Sequence, residues 1–155
     1  MWNRKRSVTL SIAVCFAFAV ILTMGLFLGP WTVKMWFSLY RGLDPDGEDL
    51  RNLLTLFKAC FYSCVPFGYI TLYSLIRLLL NIKGDEIFVN ENVRSLRRIS
   101  WCCFAVALIT GLGGVQYIPF LFIAIAAAFM GLLLRIVKNV MQSAVIIKTE
   151  NELTI

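Results

Sequence analysis

The chain has 155 residues, 59% of them hydrophobic and only 15% charged, with a net charge of +6 and no histidine. Soluble domains carry nearer a quarter charged residues, so the composition excludes one. The lack of histidine removes the commonest general base and metal ligand.

Four apolar runs dominate the sequence: 8–28, 59–76, 99–117 and 118–134. Each approaches the ~20 residues that a helix needs to cross a ~30 Å hydrocarbon core. Backbone polar groups must pair internally in lipid, which leaves helices or a closed barrel. Barrel strands alternate in polarity over about ten residues. These runs are continuous and longer, so the expected fold is all-α, a single polytopic domain of four transmembrane helices. With their flanking turns the spans are about 8–28, 57–80, 99–117 and 119–137.

Arg4, Lys5 and Arg6 precede the first run, as in a signal peptide. The run is too long for an h-region, and Gly29-Pro30-Trp31 follows instead of a small-residue cleavage site. It is read as a retained first span. The next loop, 29–52, begins with an apolar aromatic stretch in which Trp31, Met35 and Leu39 share a helical face. That stretch is expected to lie along the membrane interface. Asp44-Pro45-Asp46-Gly47 is a turn by composition. Asp44, Asp46 and Glu48 lack the rest of an EF-hand pattern, so no calcium site is assigned. Glu48 and Asp49 open the second helix, where the helix dipole favours acids.

Lys58 and Arg77 bracket the second span 19 residues apart, about 28 Å on a helix. Both are expected to snorkel to opposite interfaces. Pro66, midway, is expected to kink the helix. With Ser63 it is a weak candidate for a small pocket. Gly84 is the expected C-cap of the second helix, and Asn90 the expected N-cap of the third. The third helix opens with an apolar strip, Val93, Leu96 and Ile99, beside a basic one, Arg94, Arg97 and Arg98. The basic strip suits an anionic leaflet or an acidic partner; it is too short and too close to the membrane for direct nucleic-acid binding. Spans three and four form a tight hairpin. Ala107, Gly111 and Gly114 on one, and Ala124, Ala128 and Gly131 on the other, give the small faces that let helix backbones approach. Those faces suit an internal contact or a homo-oligomer. The tail, 138–155, continues the last helix and ends on the apolar Leu153-Thr154-Ile155, which could dock on the inner loop or a partner.

Charge sets the orientation. Eleven of the 15 basic residues flank the N-terminus, the 81–98 loop and the tail, with five acids among them; the 29–52 side carries four basic and four acidic residues. Basic residues stay cytoplasmic. Both termini and the 81–98 loop are therefore expected inside, facing anionic lipid of the inner leaflet of the cell membrane. Trp2 and Trp101 would mark the inner boundary, and Trp31, Trp36, Tyr40 and Tyr117 the outer one.

Cys15, Cys60, Cys64, Cys102 and Cys103 all fall inside the spans and are expected to be buried free thiols. No carboxylate lies within a span, so no metal site, cofactor or catalytic set is assigned.

The segment Lys83-Gly84-Asp85-Glu86-Ile87-Phe88-Val89-Asn90-Glu91-Asn92-Val93-Arg94-Ser95-Leu96-Arg97-Arg98-Ile99-Ser100 resembles the central signature of the bacterial DUF2975 family. The ending Lys148-Thr149-Glu150-Asn151-Glu152-Leu153-Thr154-Ile155 resembles that family's C-terminus. This chain has Ile87 before Phe88 where the family pattern commonly carries Pro. The resemblance implies a small four-span membrane protein of unknown function. It also implies, as a partner, the short helix-turn-helix regulator whose gene often adjoins. It supplies no catalytic residues.

Three functions are open to such a chain. A non-enzymatic regulatory or interaction protein would work through Arg94, Arg97, Arg98 and the Leu153-Thr154-Ile155 end. A small transporter, channel or immunity-type protein would need a polar path, for which only Thr23, Ser63, Thr71, Ser74, Thr110 and Gln116 are available. An intramembrane enzyme would need a base beside its nucleophile, and the spans hold none. The first is the expectation.

Overall fold

The computed structural model describes residues 4–41 and 47–153. They form four α-helices and, among the described residues, no strand: α1 Arg4–Arg41, α2 Glu48–Lys83, α3 Asn90–Gly114 and α4 Pro119–Leu153. Trp2, residues 42–46 of the expected outer turn, Thr154 and Ile155 lie outside the described residues. So do the side chains of Arg4, Lys5, Arg6, Tyr40, Arg41, Glu152 and Leu153. All four helices are long and apolar enough to cross a membrane. Phe27, Leu112 and Phe122 are 70–80% exposed, which suits side chains that meet lipid rather than water.

Neighbouring helices run antiparallel. Tyr62 Oη donates to the Leu26 carbonyl and Tyr69 Oη to Thr23 Oγ1, each at 3.2 Å, so later positions of α2 meet earlier positions of α1. Asn81 meets Asn92 across the α2–α3 loop, and Ser100 meets Gly131 between α3 and α4. The helices form a row in chain order, with α3 and α4 most closely packed and α1 beside α2 alone. Hence the start of α1, the α2–α3 loop and the end of α4 share one end of the molecule.

The sequence reading ends the first span at residue 28 and lays the aromatic stretch along the interface as a separate piece. The structure instead carries α1 unbroken through Pro30 to Arg41, 38 residues or about 57 Å. Pro30 has no N–H, so the carbonyl of Leu26, four residues earlier, loses its helical donor. The Tyr62 hydroxyl of α2 takes that donor's place. Trp31, Met35 and Leu39 do share an exposed face. Phe37, on the other face, is only 5% exposed and starts a string of ring contacts. It meets Tyr117 at 6.0 Å, Tyr117 meets Phe120 at 5.7 Å, and Phe120 meets Phe57 of α2 at 6.0 Å. Each such pair contributes about 0.5–1.5 kcal/mol beyond its burial. The string ties the far ends of α1, α2 and α4 to the α3–α4 turn. Helix α2 likewise continues through Pro66.

The α3–α4 turn is four residues, 115–118, closed by Gln116 and Tyr117 N–H groups on the Gly113 carbonyl. Pro119 begins α4, where a missing N–H costs nothing. Ser100 Oγ donates to the Gly131 carbonyl at 2.8 Å, so the α3 and α4 backbones nearly touch.

Candidate interaction surface

The end that carries the α2–α3 loop holds the expected contact residues, and the loop there is built tightly. Helix α2 stops in a Schellman arrangement: the Glu86 N–H bonds the Asn81 carbonyl at 3.0 Å and the Asp85 N–H the Ile82 carbonyl at 3.2 Å. Gly84 is the C-cap, as the sequence suggests, yet its φ is −81°. The left-handed position falls one residue later, on Asp85 with φ 62°. Asp and Asn tolerate that region better than other residues with a Cβ.

The N-cap of α3 is Val89, in extended conformation and with no side-chain cap; Asn90 is the first helical residue. The asparagine that closes the loop is Asn92, which is fully buried. Its Nδ2 donates to the Glu86 carbonyl at 2.9 Å and the Ile87 carbonyl at 2.8 Å. Its Oδ1 accepts from Asn81 Nδ2 at 2.8 Å. One side chain thus satisfies two loop carbonyls and ties the end of α2 to the start of α3. The sequence shows two asparagines, Asn90 and Asn92, at a helix start. Only the tertiary partner Asn81 tells which one turns inward.

On this anchored helix Val93, Leu96 and Ile99 are buried, and Arg94, Arg97 and Arg98 are exposed. The amphipathic division read from the sequence is present. Helix α4 runs past the start of α3, and Val145 is still buried there. The helix reaches Leu153; Thr154 and Ile155 lie outside the described residues.

Between α3 and α4, toward the end that carries the α2–α3 loop, lies a polar cleft of about 280 Å³, lined by Arg97, Ser100, Trp101, Arg135 and Lys138. The Arg135 guanidinium carbon sits 5.8 Å from the Trp101 ring centroid. The sequence places each of these residues near one boundary but does not group them. The i, i+4 spacing of Arg97 and Trp101 and the i, i+3 spacing of Arg135 and Lys138 put each pair on one face. The short hairpin then brings the pairs together.

Of the small residues on α3 and α4, Gly111 and Ala124 face each other, while Gly114 faces Leu121 and Gly131 faces Phe104 and Cys103. A Cβ on Gly111 would lie 3.7 Å from Ala124 Cβ. On Gly114 it would lie 3.0 Å from Leu121 N, and on Gly131 3.2 Å from Phe104 Cε1. Ala124 is buried, and Ala107 and Ala128 are half-buried. Gly113 has a further role that small-residue spacing does not show. A Cβ there would stand 2.7 Å from Cys60 Sγ, so this glycine lets α2 approach α3.

A larger groove, about 570 Å³, opens between α1, α2 and α3 and reaches Ala127 of α4. Its lining is apolar apart from Thr71 and the thiols of Cys64, Cys102 and Cys103; Pro66 and Ser63 are not part of it. All five cysteines are free, and among the described residues no three His, Cys, Asp or Glu side chains cluster. The polar side chains of the spans do not join into a path. Thr23 and Thr110 bond carbonyls of their own helices, Ser74 is buried without a partner, and Ser63 and Gln116 face outward.

The sequence matches the family described as Protein of unknown function (DUF2975) over residues 38–155, which takes in α2, α3, α4 and the end of α1. Both segments that carry the resemblance lie inside that range. The chain is also similar to the uncharacterized membrane protein YoaS of Bacillus subtilis (strain 168), with 24% identity across 99% of each chain. No solved structure matches it. With four helices fit to span a membrane, and with a family match over most of its length, this chain is a membrane protein that belongs to the DUF2975 family.

Proposed function

We propose that the protein is a non-enzymatic component of the cell membrane that binds a soluble cytosolic partner with the end carrying the α2–α3 loop and the α4 tail. The observation behind this reading is the contrast between anchoring and exposure there. Asn92 fixes the loop from inside, while Arg94, Arg97 and Arg98 project from the same helix start. A held backbone with three exposed cations presents a preorganised surface to an acidic partner. The family resemblance suggests a short helix-turn-helix regulator as that partner. The charge rule places this end in the cytoplasm. The non-enzymatic reading rests on the lack of histidine and of any carboxylate within the apolar runs. The scattered placement of the polar residues speaks against a transport path.

The test is co-purification from native membranes. Deleting Leu153 to Ile155 removes no charged side chain, so insertion and orientation are expected to survive. The cytosolic partner is expected to be lost. Recovery of the partner at full yield by the truncated chain removes the tail from the reading.

A further inference from the structure

We propose that the polar cleft between α3 and α4, toward the end that carries the α2–α3 loop, is a binding site for a phosphate group, supplied by the headgroup of an anionic glycerophospholipid. The site goes beyond the partner-binding reading and does not depend on it.

Its frame is rigid. The buried Ser100 hydroxyl holds the Gly131 carbonyl at 2.8 Å, and a Cβ at Gly131 would crowd Phe104 and Cys103 at 3.2–3.3 Å. Trp101 stands level with that contact; Arg97 on α3 and Arg135 on α4 lie about one turn nearer the loop end, and Lys138 about two turns. Three cations therefore converge on one cleft that no acid lines. Among the described residues none of the three has an ion-pair partner. Like charges gathered in this way repel, and an anion between them turns repulsion into attraction. Two guanidinium forks and an ammonium suit phosphate oxygens. Trp101 is 61% exposed and holds Arg135 over its ring, which keeps that fork in the cleft.

Depth selects the ligand. Arg97 lies 17 residues before the end of α3 and Arg135 lies 16 after the start of α4. Both are thus about 25 Å from the α3–α4 turn, near the far side of a ~30 Å hydrocarbon core. From there a snorkelling Arg reaches the headgroups, where a Trp ring also prefers to sit. Basic pockets between transmembrane helices at this depth bind anionic headgroups. The volume of about 280 Å³ equals roughly nine waters at ~30 Å³ each, room for a phosphate and the first atoms of its carrier.

The experiment uses the delipidated full chain in detergent and counts retained lipid by native mass spectrometry. Phosphatidylglycerol, phosphatidylcholine and inorganic phosphate are the probes. Wild type is expected to hold phosphatidylglycerol about tenfold better than phosphatidylcholine. Arg135→Gln/Lys138→Gln is expected to lose that preference, while Lys34→Gln/Lys58→Gln, with the same charge change at the other end, keeps it. If the double variant does not stay monodisperse, Lys138→Gln alone is read, with about threefold weaker retention expected. Millimolar inorganic phosphate that leaves phosphatidylglycerol bound identifies the lipid as the source. Phosphate that displaces it, and binds alone as tightly, overturns the lipid assignment and leaves a soluble phosphate site. Equal retention of the two lipids by wild type, or undiminished retention by the cleft variants, overturns the site. No protein partner is present in this assay, so its result is separate from that of the co-purification.

Discussion

Pro30 removes one amide from α1, and the carbonyl it leaves behind at Leu26 accepts from Tyr62 of α2. In lipid no water stands ready to take such a carbonyl, so the hydroxyl is part of the fold. Tyr62→Phe keeps the ring and strands the carbonyl. A loss of about 1–3 kcal/mol is expected, read from the thermal midpoint in detergent. Pro30→Ala restores the helical donor, so Tyr62→Phe in that background should cost clearly less. A double-mutant cycle with no coupling would separate the tyrosine from the proline. Asn92 does the same kind of work at the opposite end, where its amide serves two loop carbonyls.

At the scale of elements, the α3–α4 hairpin is set by which small residues face a backbone. Small-xxx-small spacing ranks Ala107, Gly111, Gly114, Ala124, Ala128 and Gly131 alike. The structure separates them, because a Cβ meets ordinary contact at Gly111 and crowding at Gly114 and Gly131. Gly131→Leu should therefore push α3 and α4 apart and break the Ser100 bond, at a cost of about 1–3 kcal/mol. Gly111→Ala should be nearly silent. Detergent thermal midpoints compare the two, and a Gly131→Leu midpoint equal to wild type would show that the hairpin relaxes freely around that site.

For the whole molecule, four antiparallel helices put the start of α1, the α2–α3 loop and the end of α4 on one side, whatever membrane surrounds them. The lopsided distribution of the 15 basic residues is expected to select the side. Reporter fusions after Ile155 and within the 44–49 turn are expected to report cytoplasm and exterior respectively. The opposite pair of signals would reverse the orientation and move the partner-binding face outside. Among the described helices α1 packs beside α2, and most of its length precedes the family match, which begins at residue 38. Two tyrosine hydroxyls of α2, Leu22 against Gly68 and Phe37 against Tyr117 are among the contacts that hold it.

The sequence by itself determined the helical class, the number of spans, the charge asymmetry, the family and the small face of the hairpin. The class, the spans, the charge asymmetry and the small face follow from composition and period, which a linear chain carries whole; the family follows from the segments 83–100 and 148–155. It also divided α3 correctly into a buried strip and the exposed Arg94, Arg97 and Arg98. Only the tertiary structure decided that α1 runs on through Pro30, because the compensating donor sits 36 residues away on α2. Only it chose Asn92 over Asn90, since the choice depends on Asn81 across the loop. And only it gathered Arg97, Trp101, Arg135 and Lys138 into one cleft, for the register between two helices is fixed where Gly131 lets them touch, not by the spacing within either one.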